Sequence, residues 1–384
     1  MTRAHVLSGI DRIETVSHLL EGKRVGLMTN PTGIDHQLKS TVDIIQERFH
    51  LTALYAVEHG IRGAAQAGDR VTNTVDELTG VPVFSAFGEN SHFTDEMLDA
   101  FDVLLFDIQD VGSRFYTYLY SLAYAMEACN RAGKSMIVLD RINPVGGNKA
   151  CGLILDPALN SFVGDYELPT QYGLTIGEFA LYAKDYLHLD RVELTVVPLE
   201  GWHRSMLLDE TDLPWVMPSP NLQNLDAALC YMGMCIFEGT NCSEGRGTTI
   251  PFQCMGAPFL NAEELEKRMA DIPTPGIHFR ATHFTPTFHK HQGVLCHGVQ
   301  MHIVDREVSD AVAAALYLLD EVKKMAGDQL EYLRWDSDPR YSLDKLLGTS
   351  DYRTGKYTPK ELLEKHRPLV QAFVENTRKY HLYD

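Results

Sequence analysis

The sequence predicts an α/β fold: a mostly parallel sheet domain followed by a smaller α+β domain. Two observations carry this. Over the first two thirds, short apolar runs alternate with segments of helical period at the spacing of βαβ units. Polar clusters also follow directly on two of those runs, and α/β sheets place their ligands at strand ends.

Strands are expected from Arg24 to Thr29, Leu51 to Val57, Pro82 to Phe84, Val103 to Phe106, Met136 to Leu139 and Glu193 to Pro198. Helices are expected from Ser40 to Arg48, Thr94 to Ala100, Phe115 to Ala132 and Thr175 to Leu187. Thr94 is a capping residue followed by two acids, and Gly133 stands where a left-handed helix end is wanted. Beyond about residue 250 the pattern changes to helices at Ala262 to Met269, Ser309 to Met325 and Pro359 to Asn376, with a strand at Val299 to Val304. The domains are accordingly expected at 1–250 and 251–384. The Gly/Pro-rich tract from Pro214 to Gly256 reads as irregular and too long to be a plain connection. There is no internal repeat.

With 384 residues, 45% hydrophobic and 22% charged, the chain can bury a full core in two domains. A net charge of -18 argues against nucleic acid or an anionic membrane as partner. A small-molecule substrate is expected instead, and a homo-oligomer is compatible with the sequence. No apolar run reaches bilayer length and no signal-peptide h-region is visible, so a cytoplasmic location is expected. Seven cysteines without C-x-x-C spacing fit reduced thiols.

The first polar cluster is Glu58-His59-Gly60-Ile61-Arg62-Gly63, and the second runs from Asp107 through Gln109, Asp110, Gly112 and Arg114 to Tyr116. Each delivers carboxylates beside an arginine and a glycine that permits close approach of a ligand. A carboxylate pair can supply an acid and a base or nucleophile when their environments differ. The alternative for Glu58 is a strand-end acid paired with Arg62, and Asp107 or Asp110 could instead hold Arg114 or cap the following helix. A third cluster, Glu238 to Thr249, offers Asn241, Glu244 and Arg246 among three glycines, a set able to wrap a polyhydroxylated or anionic ligand. Its alternative is a self-paired Ω-loop. Ser219-Pro220-Asn221 is open between a rigid turn and a site wall.

Other chemistries are disfavoured. Histidines 283, 289, 291, 297 and 302 lack zinc spacing, so no metal is expected. Neither G-x-G-x-x-G after the first strand, a Walker loop nor a G-x-S-x-G elbow occurs, and no cofactor is expected. Cys242 has no evident base partner.

Gly26 to Gly33, Glu58 to Gly63, Phe106 to Tyr118, Leu139 to Pro144, Pro218 to Asn221 and Glu238 to Thr249, in this order and over nearly the whole chain, resemble the NamZ family of exo-β-N-acetylmuramidases. The resemblance implies a Rossmann-like domain with an auxiliary domain, an interdomain active site, and removal of terminal N-acetylmuramic acid from the non-reducing end of peptidoglycan fragments. It carries the family's proposed catalytic glutamate onto Glu58, with Asp107 as the second catalytic candidate. Asn30, His59, Arg62, Gln109, Arg114, Tyr116, Asp140, Asn221, Glu238, Asn241, Glu244 and Arg246 follow as substrate-binding candidates. The lactyl carboxylate of muramic acid calls for a cation, for which Arg62, Arg114 and Arg246 are available and Arg246 is preferred. Ala64 to Gly68 departs from the more polar residue found in many relatives. The partner of Glu58, and whether a carboxylate or the substrate's acetamido group completes the reaction, stay open.

Overall fold

The computed structural model describes residues 3–62, 73–86, 92–335 and 338–384. Gly63 and the Ala64 to Gly68 departure therefore lie outside the described residues.

The large sheet contains β1 (Arg24–Thr29), β2 (His50–Ala56), β3 (Thr74–Val75), β4 (Pro82–Ser85), β5 (Val103–Asp107), β6 (Ser135–Leu139) and β7 (Glu193–Val197). Its order is β3-β4-β2-β1-β5-β6-β7. All pairings are parallel except the β3–β4 edge. Without that edge the order is that of a Rossmann sheet. Successive side chains point to opposite faces. In β5, Leu104 and Phe106 join one apolar cluster while Val103 and Leu105 join the other. Burial on both sides is why these strands read as nearly unbroken apolar runs.

The helices are α1 (Ser17–Leu20), α2 (Thr41–Arg48), α3 (Asp95–Asp99), α4 (Tyr118–Ala132), α5 (Ile176–Tyr186), α6 (Leu225–Met234), α7 (Ala262–Ala270), α8 (Ala311–Ala326), α9 (Ser342–Leu347) and α10 (Pro359–Thr377). Val42, Ile44 and Ile45 of α2 cover one sheet face, and the apolar side of α4 covers the other. Side-chain caps start α2 at Ser40, α3 at Thr94 and α5 at Thr175, and Gly133 at φ 63 ends α4 as expected. Helix α4 starts three residues later than expected. Its approach is held as a turn, with the Arg114 amide donating to the Thr170 carbonyl at 2.8 Å and Ser113 bridging Gln171.

The smaller sheet is antiparallel, β8 (Cys254–Ala257), β10 (Cys296–Ile303) and β9 (Ile277–Phe284) in that order. Helix α6 corrects the expectation of an irregular tract from 214 to 256, and it packs against α8 and β10. Nearly every side chain of α6 is buried, so it carries no polar face to mark a helical period. At Gly233 a Cβ would lie 1.9 Å from the Ala311 carbonyl oxygen, so the α6–α8 approach requires glycine. No described helix is long and apolar enough to cross a membrane.

Candidate functional site

From β1 the chain moves outward to β2 on one side and later returns to β5 on the other, which makes the carboxyl ends of β1 and β5 the topological switch point. Asn30 follows β1, Glu58 follows β2, and Asp110 follows β5. The turn after β2 is tight: the Gly60 amide donates to the Val57 carbonyl at 2.9 Å, and His59 and Gly60 have φ of 73° and 77°. Left-handed backbone at the buried His59 costs roughly 1 kcal/mol, a strain found preferentially at functional sites. It presents a half-buried Glu58, whose Oε2 accepts the Thr117 hydroxyl at 2.8 Å.

Several polar groups share the surroundings of Glu58, whose charge bears on Tyr116 and Tyr118. Asn30 Oδ1 accepts the Thr32 amide at 2.9 Å and hydroxyl at 2.5 Å, while its buried Nδ2 faces the Tyr118 phenol without a well-formed bond. Tyr118 donates to the Pro218 carbonyl at 2.5 Å. The buried Tyr116 hydroxyl approaches Ser219 and likewise closes no bond. Asp110 Oδ2 accepts the Gly112 amide at 2.8 Å and the Tyr172 hydroxyl, but Oδ1 is buried without a partner. Burial pushes the Asp110 carboxyl up to about 6, against the opposing pull of Tyr172 and the Gly112 and Val111 amides. Burial, then Tyr118, raises the Tyr116 phenol, and the charges of Glu58 and Asp110 add to it, so both carboxylates bear on one hydroxyl. Buried polar atoms are nearly always satisfied, so these three mark the ends of β1 and β5 as the candidate site.

Several expected site residues are engaged elsewhere. Asp107, the expected second catalytic carboxylate, is fully buried and grips Arg141 at 2.6 and 2.9 Å while accepting the Thr41 hydroxyl. Its geometry is that of a structural ion pair joining β5 to α2 and the loop after β6. Arg114 is also fully buried, and it donates to the carbonyls of Lys345 and Leu346 at 3.4 and 2.8 Å, closing the end of α9. No solvent-borne carboxylate can reach that fork. Asp140 is sealed by the C-terminal tail, accepting Tyr383 at 2.5 Å and Thr175 at 2.8 Å. Gln109 Nε2 spans the carbonyls of Asp110 and Ile142 at 2.7 Å each, and Asn241 is tied to the backbone of Gln329 and Glu331. Asn221 is buried after the turn closed by the Leu222 amide on the Ser219 carbonyl. Arg62 pairs with Asp76 at 3.0 and 3.1 Å, and its side chain is 44% exposed.

The third cluster is an ion network. Arg246 bonds Glu238 at 2.5 Å and stands 3.2 Å from the fully buried Glu244, which also receives Lys290 at 2.9 Å and faces His289 at 3.4 Å. Burial alone would raise the Glu244 carboxyl, but Lys290, His289 and Arg246 hold it at about 2. Arg246 is thus neutralised by two acids and is a poor candidate for the lactyl group. Lys290 could not be found from sequence, since it lies 46 positions from Glu244. The network is linked to the Glu58 region through rings: Tyr116 meets Tyr231 edge-on at 5.8 Å, Tyr231 meets Phe252 at 4.7 Å, and Arg246 lies over Phe252 at 5.0 Å.

A cavity of about 1040 Å³ opens between the loops around 145–149 and 204–210 and the residues Leu229, Met232, Ile303 and Arg306. Its walls include neither Glu58 nor Asp110, so the candidate site is placed by unsatisfied polar groups rather than by volume. The histidines of β9 and β10 form no metal cluster among the described residues.

The family model "Exo-beta-N-acetylmuramidase NamZ, N-terminal" matches residues 25–226, and its C-terminal companion matches 229–383. The chain is 45% identical to the peptidoglycan β-N-acetylmuramidase NamZ of Bacillus subtilis (strain 168), over 98% of this chain and 91% of that protein. Two crystal structures of DUF1343 family proteins from Bacteroides fragilis share the fold. One has a TM-score of 0.91 at 35% identity, covering 100% of both chains, and the other 0.77 at 30%, covering 99% of both. With the two family models matching residues 25–226 and 229–383 and a relative 45% identical over 98% of the chain, the chain belongs to the NamZ family of exo-β-N-acetylmuramidases.

Proposed function

We propose that this protein releases N-acetylmuramic acid from the non-reducing end of MurNAc-GlcNAc peptidoglycan fragments, with Glu58 as the general acid that protonates the leaving oxygen. The observation that supports it best is the Glu58 carboxylate, oriented by Thr117 beside the unsatisfied Asn30 Nδ2, Tyr116 hydroxyl and Asp110 Oδ1. Asparagine and tyrosine donors suit sugar hydroxyl and acetamido oxygens. Asp110 supplies the second carboxyl function in place of Asp107: ionised, its Oδ1 can accept a hydrogen bond from the acetamido N–H or from attacking water. Of the three arginines considered for the lactyl carboxylate, Arg62 has the exposed guanidinium and lies four residues from Glu58.

Mass spectrometry of products from N-acetylmuramic acid linked to N-acetylglucosamine, with the reversed disaccharide as control, tests the reading. Free N-acetylmuramic acid should appear only from the first substrate, and Glu58→Gln should abolish it while circular dichroism is unchanged. Turnover by Glu58→Gln near that of the native protein, or binding of the disaccharide without cleavage, would sink the assignment.

A further inference from the structure

Three segments remote in sequence bring His5, His36 and Asp212 together, and one ligand atom from each lies within 4.8 Å of the others. His5 Nδ1 stands 2.6 Å from Asp212 Oδ2, His36 Nε2 stands 3.5 Å from the same oxygen, and the two imidazoles meet edge-on at 4.9 Å. We propose that these three side chains form a site for a divalent transition-metal ion of the zinc class, a structural clip between the N-terminal segment, the loop after β1 and the loop before Pro214.

The donor set is two neutral imidazoles and a carboxylate, which suits zinc and its neighbours better than calcium or magnesium. Metal–ligand bonds of about 2.0–2.2 Å in tetrahedral arrangement put ligand atoms roughly 3.3 Å apart, so the 3.5 Å His36–Asp212 spacing is near that required and the 2.6 Å His5–Asp212 hydrogen bond opens by about 0.7 Å, through the exposed His5 side chain, to admit the ion. The surroundings hold the ligands in place. Asp212 Oδ1 is fixed by the Val6 amide at 3.0 Å, which leaves Oδ2 to both histidines. His5 and Asp212 are set opposite each other by the pairing of Ala4 with Glu210 and Asp212, at 2.8 and 2.9 Å. The His36 amide is held at 2.7 Å by Asp11, itself fixed by the Ser8 amide and hydroxyl. The Val6 amide on Asp212 is an outer partner of the kind that orients metal ligands, the Asp11 bond fixes the His36 backbone, and His36 Nδ1 is buried without a partner. The side chain of His5 is 66% exposed, which gives an ion a way in and a fourth position for water.

The test uses the full chain freed of metal by a chelator and titrated with zinc and cobalt(II) at neutral pH, by calorimetry, visible absorption and thermal unfolding. One equivalent should bind, with cobalt d–d bands and a Tm that rises with zinc concentration. His5→Gln and His36→Gln should each weaken binding at least about tenfold. His297→Gln, which alters the other close histidine pair, should leave it unchanged. Should His36→Gln fold poorly, the exposed His5→Gln decides alone. Absence of saturable binding, or binding that survives His5→Gln intact, would overturn the proposal and leave Asp212 as a carboxylate shared between two imidazoles.

Discussion

Replacing Tyr172 by phenylalanine removes one hydroxyl from a side chain that is 2% exposed, with no change of shape. That hydroxyl donates to Asp110 Oδ2 and is the strongest of the interactions opposing burial, which leaves the carboxyl at about 6. A hydrogen bond to a charged group contributes about 1.5–3 kcal/mol, or roughly 1–2 pK units. If Asp110 must be ionised for turnover, the acid limb of kcat/KM lies near 6 in the native protein and moves alkaline by about 1–2 units in Tyr172→Phe. Asp110→Asn should abolish the limb, with a rate loss of about 10²–10⁴. The same shift is a stability statement. The folded carboxyl titrates above its ordinary 3.8, so stability declines as pH rises from about 4 to about 6, by about 3 kcal/mol in all. Tyr172→Phe should therefore lose more stability at alkaline than at acid pH. Rate profiles on a chromogenic muramide and urea unfolding at several pH values measure both. A limb that stays in place in Tyr172→Phe, or persists in Asp110→Asn, would refute the role given to Asp110.

Arg62→Ala should reduce the preference for muramic over glucosamine substrates by about tenfold through KM, measured by competition, and should lower Tm measurably, because the Asp76 carboxylate it leaves is buried and keeps only the Thr79 amide and hydroxyl. Lys290→Met leaves Glu244 buried without its main counter-charge and should cost about 3–5 kcal/mol in chemical denaturation. Because Glu244 is held low, near 2, its contribution is present above its ordinary 4.5 and fades as pH falls toward 2, so the variant and native curves should converge at acid pH. Asp140 is raised by burial to about 7 despite the Tyr383 bond, so stability declines from about pH 4 to about 7 on its account, and Asp140→Asn should flatten that slope.

The parallel domain was legible because its strands and helices carry the two signals that sequence expresses locally, buried runs and amphipathic period. All six strands expected there are present, with ends differing by a residue or so. Glu58 was legible for a related reason, as a polar residue directly after an apolar strand. What escaped is non-local or uniform. Helix α6 is buried on every side, and the Asn224 side chain that caps it at the Ala227 amide was the one available sign. Strand β9, by contrast, alternates Ile277, Phe279 and Ala281 with His278, Arg280 and Thr282, a period-two strand signal that the expectations left out. Asp107 and Asp110 share one short polar segment, and nothing in the spacing says which of them meets Arg141 and which is left with an unsatisfied oxygen.

The burial of Asp140 also bears on which strand ends the crevice of the sheet offers. Asp140 follows β6 much as Asp107 ends β5, and in an open Rossmann sheet both strand ends would face the same crevice. Here the C-terminal residues fill the β6 end. Tyr383 bonds Asp140, the Leu382 amide bonds Glu178 at 2.9 Å, and the Asp384 carbonyl accepts the Arg204 amide at 2.9 Å. Arg204 in turn grips Glu178 at 2.6 Å, both of them buried, so the plug is anchored by charge as well as by chain. With that end closed and Asp107 tied to Arg141, the strand-end carboxylates that bear on Tyr116 are the half-buried Glu58 after β2 and the buried Asp110 after β5. The C-terminal residues thus take the β6 end out of the crevice that an open Rossmann sheet would offer, and leave the ends of β1, β2 and β5.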